Sequence, residues 1–320
     1  MFHPRTLAIA ATLLASTTMI NLAHADVIPE QIKSMLDQAV ATGNADTLKT
    51  VADLVKKSAA SSAGEIDAYV VAYQKKVEDA RVAKLATASL AENWTGAANL
   101  GLNFSQGNSK ISNIYLGVAM QRDGLQWRHK VHADVDFLKN FGVTTRKHYD
   151  ASFESNYKVN DRLYVFGLLG WESDKYAGYS RRFTESVGVG YRVINEPNLT
   201  FDVEAGPSAR QTHSVVGNPA FLTDPTQPLF IPATPYATSN IGGRVNGDLL
   251  WKLSNTISFT ENLGALFDKA STSTYSKTAL NAKLTDHITA SAGLDIRHES
   301  KTFAAKKTDT AERFTIGYAF

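Results

Sequence analysis

The stretch Trp127–Phe137, WRHKVHADVDF, decides the fold class. Its apolar and aromatic positions are Trp127, His129, Val131, Ala133, Val135 and Phe137. The positions between them are charged or polar: Arg128, Lys130, His132, Asp134 and Asp136. A period of two places the two sets on opposite faces of an extended chain, so the stretch predicts an amphipathic β-strand.

The same alternation recurs from Trp94 to Phe320, and it predicts about twelve strands separated by turn residues. The predicted ranges are 94–105, 110–121, 125–138, 145–159, 161–174, 179–193, 198–214, 236–253, 255–268, 274–284, 286–299 and 307–320. Turns after even-numbered strands are tight, and loops after odd-numbered strands are mostly longer, the longest being about 215–235. This parity is typical of an antiparallel up-and-down outer-membrane β-barrel with both chain ends on the periplasmic side. A soluble β-sandwich is the weaker alternative, because it requires neither this parity nor an apolar last strand.

The chain ends in RFTIGYAF, in which one face is aromatic and aliphatic. Its members are Phe314, Ile316, Tyr318 and Phe320. In a closed barrel the last strand pairs with the first, so this face would lie in the lipid-facing band. A strand of this kind also resembles the signal by which the barrel-assembly machinery recognises outer-membrane proteins.

Residues 1–25 have the features of a secretory signal peptide. Arg5 precedes an apolar run, and Ala23-His24-Ala25 provides an A-x-A cleavage site, which predicts a mature chain beginning at Asp26. A membrane anchor is the alternative, but the run is shorter than the ~20 residues of a spanning helix. The expected location is the outer membrane of a Gram-negative bacterium.

Residues 26–93 have a helical pattern, with apolar residues spaced three to four apart. Gly43-Asn44 separates the first two apolar stripes, and the spacing of Ser62 and Glu65 matches a capping box that would begin a third helix. We expect a short periplasmic segment of two or three helices. It could serve as a cap or tether for the barrel, or as a plug or partner-binding module.

Composition excludes several function classes. With 33 Lys and Arg against 31 Asp and Glu, the net charge of +2 predicts no nucleic-acid partner. The chain has no cysteine, which excludes disulfides, thiolate metal sites and a cysteine nucleophile. Basic pairs in or beside predicted external loops, Arg181-Arg182 and Lys306-Lys307, could contact lipopolysaccharide phosphates, although solvated loop charges are commoner.

The polar faces of the third and fourth strands predict a charge ladder lining the lumen. If paired residue numbers sum to about 282, each acid faces a base or histidine, whereas a sum of about 284 sets Asp134 against Asp150. We favour the first register and call its members the lumen charge ladder. The predicted pairs are Arg128 with Glu154, His132 with Asp150, Asp134 with His148, and Asp136 with Arg146. Val131, Ala133, Val135, Ala151 and Phe153 would face lipid.

Three interpretations of the ladder are open. Ion pairs that satisfy polar groups inside a barrel are favoured. A metal site is weaker because each candidate ligand already has a partner in that register. A hydrolase using Ser152, His132 and Asp150 is weaker still, since no nucleophile-elbow motif is present.

Gly188-Val189-Gly190 lies within a strand and predicts close packing rather than a phosphate loop. We therefore predict no enzyme, no metal and no cofactor.

Several blocks occur in order that closely resemble the salt-induced outer-membrane protein family, otherwise described only as a domain of unknown function. They are GNSKISNIYLGV (107–118), NDRLYVFGLLGWESDKYAGYSRRFTESVGVGYRVI (160–194), EAGPSARQT (204–212), SKTALNAKLTDHI (276–288) and KKTDTAERFTIGYAF (306–320). The resemblance implies an outer-membrane barrel and brings no catalytic residues or ligand. A barrel that passes or binds small solutes during salt or osmotic stress is the first functional hypothesis, and a structural barrel with a filled lumen is the second.

Overall fold

The computed structural model describes residues 28–89, 91–105, 110–215, 237–301 and 307–320. It forms two compact units, residues 1–83 and 84–320. The predicted signal peptide with its Ala25–Asp26 cleavage site, nearly all of the predicted 215–235 loop, and Lys306 lie outside the described residues. Signal cleavage therefore stays a prediction.

The first unit contains helices α1 (Glu30–Ala41) and α2 (Ala45–Ser58), a 3-10 turn (Ala60–Ser62) and most of α3 (Ala63–Thr87). The helical segment predicted from the apolar spacing is confirmed. Asn44 is the N-cap of α2, and its side-chain oxygen accepts hydrogen bonds from the backbone N–H groups of Asp46 and Thr47.

The core of the helical unit is small and apolar. Leu36, Leu48 and Ile66 are each at most 1% exposed and pack in one cluster. At its edge the Tyr69 hydroxyl donates a hydrogen bond to Asp37, and this bond, with burial, raises the pKa of Tyr69 to about 12. None of the described helices has the length and apolar character needed to cross a membrane.

The second unit is a closed antiparallel barrel of twelve strands, as predicted. Each strand pairs with its sequence neighbours, and β12 pairs with β1. The first and last residues of each strand lie within two residues of the predicted boundaries. The strands are β1 (Trp94–Ser105), β2 (Ile111–Asp123), β3 (Trp127–Asn140), β4 (Val143–Lys158), β5 (Leu163–Asp174), β6 (Tyr179–Asn195), β7 (Leu199–Ser214), β8 (Ala237–Lys252), β9 (Ile257–Asp268), β10 (Thr272–Lys283), β11 (Ile288–Glu299) and β12 (Thr308–Ala319).

The barrel is apolar outside and polar inside. Ile241 and Phe314 on the outer face are 79% and 75% exposed, whereas Asp136, Asn156 and Glu204 are among the most buried side chains of the chain. Such a surface is stable only against hydrocarbon, and the fold is accordingly that of an outer-membrane barrel.

The predicted loop parity holds only in part. Loops 106–110, 215–236 and 300–307, which follow odd-numbered strands, are longer than the turns at the opposite end. The connections 141–142, 175–178 and 269–271 also follow odd-numbered strands, yet they are as short as those turns. The turn 141–142 has only two residues, and the predicted loop at that position was longer.

The predicted register between β3 and β4 is wrong. Arg128 lies opposite Asn156, His132 opposite Ser152, Asp134 opposite Asp150, and Asp136 opposite His148. This is the register with the like-charge pair, which the prediction rejected.

The turn between β3 and β4 provides the physical reason. Phe141 and Gly142 have φ values of 47° and 83°, so both central residues are left-handed, as in the turns that match the twist of a two-residue hairpin. This turn sets Asn140 opposite Val143, and an irregularity between Leu138 and Lys139 shifts the pairs below it. The turn and the extra β4 residue at this irregularity, Thr145, together set the paired residue numbers to a sum of 284. They outweigh a like-charge contact that costs only about a few tenths of a kcal/mol.

Candidate functional site: the charged lumen

A cavity of about 1180 Å³ lies in the barrel, and each of the twelve strands contributes to its lining. The lining bases are Lys130, Arg146, Arg182, Arg210, Arg244, Lys277, Arg297 and Lys307. The lining acids are Asp150, Glu154, Glu172, Asp174, Asp248, Glu299 and Asp309. Charges of the two signs are thus nearly balanced along the wall.

The half of the predicted ladder nearer the start of β3 is rearranged by the observed register. Glu154 faces Lys130, and their side chains form an ion pair of 2.9 Å. Arg128, predicted to face Glu154, instead lies 3.6 Å from Asp123 and 3.9 Å from Asp202. Lys130 lies on the same face of β3 as Arg128 and His132, so the correct register would have identified it as the partner of Glu154.

Asp134 is the centre of a cluster on β3 and β4. The His132 Nε2 atom lies 2.9 Å from Asp134 Oδ1 and 3.7 Å from Asp150 Oδ1. Lys277 of β10 reaches across the lumen and places Nζ 3.5 Å from Asp134 Oδ1. His148 lies between two acids, with Nε2 4.0 Å from Asp134 Oδ2 and Nδ1 3.4 Å from Asp174 Oδ2.

Asp136 is held by two arginines from distant parts of the chain. Arg146 places Nη1 3.2 Å from Asp136 Oδ2, so this predicted ion pair forms diagonally although Arg146 lies opposite Leu138. Arg313 donates to the same oxygen at 2.8 Å and also pairs with Asp295. Two guanidinium groups offset the cost of burying one carboxylate.

Another cluster lies on strands that the sequence did not single out as a site. Glu204 of β7 accepts hydrogen bonds from Arg244 of β8 at 2.7 Å and from the Tyr164 hydroxyl at 2.9 Å. A Cβ atom on Gly190 would lie 2.1 Å from the Tyr164 ring, and one on Gly188 would lie 2.8 Å from the Phe166 ring. The Gly188-Val189-Gly190 motif therefore provides space for rings, in agreement with its interpretation as a packing motif.

A fourth cluster lies toward the end formed by the loops after odd-numbered strands. Arg210 of β7 bonds Asp268 and the Ser273 hydroxyl, while Glu299 of β11 accepts from Arg182 at 2.7 Å and Ser273 at 2.8 Å. These bonds connect β6, β7, β9, β10 and β11 across the mouth of the lumen. Their sequence signal is weak, because the partners lie far apart in the chain.

The candidate hydrolase residues do not form a catalytic arrangement. Ser152 lies opposite His132 in the register, but the His132 Nε2 atom faces the two carboxylates described above. Within the described part of the chain no hydrogen bond joins the Ser152 hydroxyl to His132. Nothing in this arrangement indicates catalysis.

The outer face carries the remaining predicted features. Phe314, Ile316, Tyr318 and Phe320 are all exposed on it. Trp127 packs edge-on against Tyr157, with ring centroids 5.1 Å apart, near the end of the barrel where strand β3 begins. Aromatic pairs at strand ends suit a girdle at the membrane interface. Recognition of the last strand by an assembly machinery stays a prediction.

Comparison with known proteins finds a curated relative and several solved membrane proteins that are similar to the chain. The chain is 24% identical over 234 residues to the uncharacterized protein YdiY of Escherichia coli K12, covering 72% of this chain and 85% of YdiY. Among solved structures, the NanC porin is 13% identical with a TM-score of 0.41, covering 70% of this chain and 98% of its own. The COG4313 outer membrane channel of Pseudomonas putida F1 is 8% identical with a TM-score of 0.37, covering 72% and 98%.

The family comparison covers almost the whole barrel. Residues 98–320 match the model described as "Protein of unknown function, DUF481". This range begins within β1 and ends at the last residue, so it includes every lumen cluster described above. The resemblance of the sequence blocks to the salt-induced outer-membrane protein family likewise brings no established function. The chain therefore belongs to the DUF481 family.

Proposed function

We propose that the protein is an outer-membrane barrel that takes small polar solutes into its charged lumen. The observation that carries this proposal is the cavity of about 1180 Å³, to which all twelve strands contribute. Twelve strands lie between the eight of barrels filled by their own side chains and the sixteen of open porins, so a narrow passage is expected.

The charges on the cavity wall favour solutes without a large net charge. Lining bases form ion pairs with lining acids, as Lys130 does with Glu154 and Arg182 with Glu299. A wall of mixed sign does not concentrate ions of one sign as a single-sign funnel does. Neutral or zwitterionic small solutes are therefore the favoured class, and a role in salt or osmotic stress would agree with that chemistry.

The surroundings of the barrel belong to the same proposal. The outer face would contact outer-membrane lipid, and the loops after odd-numbered strands would lie outside the cell, where the exposed Arg181 would meet lipopolysaccharide phosphates. The helical unit would lie in the periplasm. Export would use the predicted signal peptide, and insertion would use the last strand and the barrel-assembly machinery.

The test is single-channel conductance of the refolded chain in planar bilayers. We expect a small conductance with weak ion selectivity. The double variant Arg210→Ser with Asp268→Ser removes a buried ion pair at the lumen mouth and should increase conductance severalfold. Val187→Ala, on the exposed outer face, is the control and should change nothing.

A barrel with a filled lumen is the second candidate, and one observation favours it. Charged side chains span the lumen, since Arg182 of β6 pairs with Glu299 of β11 and Lys277 of β10 lies 3.5 Å from Asp134 of β3, and these contacts narrow the passage. This candidate predicts no conductance in the wild-type chain or in the Arg210 and Asp268 double variant. That result, obtained with a folded barrel, would replace the solute proposal.

A further inference from the structure

Two carboxylates face each other in the lumen wall. The observed register sets Asp134 of β3 directly opposite Asp150 of β4. Like charges at directly opposed positions destabilise a sheet unless a cation lies near them. The only ammonium that an ion pair records at this point, among the described residues, is Lys277, 3.5 Å from Asp134 and on a long side chain.

The donor atoms at this position have the spacing of a metal site. One nitrogen of His132 and one oxygen each of Asp134 and Asp150 lie within 4.8 Å of one another. In a four-coordinate site with donors about 2.1 Å from the ion, donor atoms lie about 3.4 Å apart. Small side-chain rotations would therefore bring all three donors to one ion.

His148 gives an independent indication of a missing ligand. Its side chain is 4% exposed, yet neither ring nitrogen has a hydrogen-bond partner among the described residues. The Nε2 atom points toward Asp134 Oδ2, 4.0 Å away, and that oxygen is also buried without a hydrogen-bond partner. Buried polar atoms nearly always have hydrogen-bond partners. His148 Nε2 and Asp134 Oδ2 face each other without one, which indicates a ligand that would bind both atoms.

Asp174 lies beside Nδ1 of His148, without a hydrogen bond to it, where a metal-bound histidine has its carboxylate partner. Its Oδ2 atom lies 3.4 Å from His148 Nδ1, on the side of the ring away from Asp134. A carboxylate in this position favours the tautomer that carries the proton on Nδ1, which leaves the Nε2 lone pair free to bind a metal.

From these contacts we propose a divalent transition-metal site in the lumen wall, with His132, Asp134, Asp150 and His148 as ligands. Two imidazoles and two carboxylates suit Zn²⁺ in a tetrahedral arrangement. His132 and Asp150 line the cavity, so an ion enters from the lumen. Lys277 and the cavity-lining Arg297 are the competing cations, and the Lys277 side chain moves away when the ion binds.

The register explains why the sequence argued against such a site. In the predicted register each ligand faced a complementary partner, and that pairing was the reason for preferring ion pairs. The observed register removes this reason, because Asp134 and Asp150 face each other. The site does not depend on whether the lumen conducts, so conductance and metal binding are tested separately.

The experiment is calorimetric titration of Zn²⁺ into the full refolded chain in detergent, with Co²⁺ absorption as a report of four-coordinate geometry. We expect one ion per chain in the wild type. His132→Gln and His148→Gln should each weaken binding at least about tenfold and abolish the four-coordinate Co²⁺ spectrum. His129→Gln lies on the same strand and the opposite face, and as the control it should bind like the wild type.

Two further variants separate a metal site from a simple ion-pair cluster. Lys277→Met removes the competing ammonium and should strengthen Zn²⁺ binding. Asp174→Asn removes the group that positions His148 and should weaken binding about tenfold. Heat-modifiable electrophoretic mobility checks that each variant has folded. The proposal is overturned if the folded wild type binds no stoichiometric Zn²⁺, or if His132→Gln, His148→Gln and His129→Gln lose affinity equally.

Discussion

The helical unit and the barrel bury opposite kinds of residue. Leu36, Leu48 and Ile66 form the dry centre of the helices, whereas the most enclosed side chains of the barrel include Asp136 and Glu204. The barrel places most of its leucines, valines and phenylalanines on the outside, with Phe166 as a buried exception. The hydrophobic effect explains both arrangements, because it removes apolar side chains from water in each unit. In the helical unit these side chains pack against one another, and in the barrel they contact lipid.

Ion pairs show the same contrast. In the helices, Glu78 and Arg81 pair at 2.6 Å on an exposed surface, while in the barrel Arg244 and Glu204 pair at 2.7 Å with both side chains buried. Exposed pairs contribute little to stability, and a buried pair leaves a costly charge behind when one partner is lost. Four substitutions test whether the two units obey these opposite expectations.

The largest effect is expected for Arg244→Met. This change leaves Glu204 buried without its guanidinium partner and should lower the free energy of unfolding of the barrel by about 3–5 kcal/mol. Urea titration of the chain folded into lipid vesicles would measure it. The double variant Arg244→Met with Glu204→Gln should recover most of the loss, and failure to recover would mean that Arg244 acts through packing on Phe166.

Leu36→Ala should lower the stability of the helical unit by about 2–5 kcal/mol, because it leaves a cavity in an apolar core. The loss of helical circular dichroism on heating the full chain would measure it, and heat-modifiable mobility of the barrel should not change. Met35→Ala, at an exposed neighbouring position, is the control. An equal effect of both changes would show that the helices have no specific core.

Leu116→Arg tests the outer face of the barrel. Leu116 is exposed between Leu100 and Val135 on neighbouring strands, and an arginine in mid-bilayer costs about 2–4 kcal/mol. Folding titrations in vesicles would measure the loss, with Leu116→Phe as the control. A stable Leu116→Arg variant would contradict the lipid-facing orientation of β2.

Arg81→Ala should have the smallest effect. Its partner Glu78 is exposed on α3, so water and salt screen the interaction in the folded chain. We expect no shift of the helical melting curve beyond experimental scatter at physiological salt. A clear destabilisation would show that this exposed pair behaves like the buried pairs of the barrel.

Much of the fold could be predicted because it is local. Alternation in Trp127–Phe137 and its counterparts identifies each strand, and Asn44 and Gly43 mark the break between two helices. The register could not be predicted in the same way, because it depends on the turn at Phe141 and on the irregularity between Leu138 and Lys139. A phenylalanine with left-handed φ is uncommon and has no sequence signal, so the sequence predicts a longer loop where the structure has a two-residue turn.

The lumen contacts were predictable only where they join adjacent strands. Arg146 and Asp136 form an ion pair despite the wrong register, because a diagonal partner is within reach of a long side chain. Lys277 and Arg313 reach β3 from strands far along the chain, and their positions depend on how the barrel closes. Matching the residues of two adjacent strands gives no information about how the barrel closes.

The closure of the barrel has a consequence for the order in which it folds. The β1–β12 pairing runs only from Ala97 with Ala319 to Leu100 with Ile316, and backbone hydrogen bonds between Gly96 and Phe320 extend it by one position. The two-residue hairpin of β3 and β4 joins neighbours in sequence and forms early, whereas this seam must bring opposite ends of the barrel sequence together and bears the largest loop-closure entropy. Until the seam forms, β1 and β12 are open edges, and in that interval a nascent barrel can pair with another chain instead of with itself.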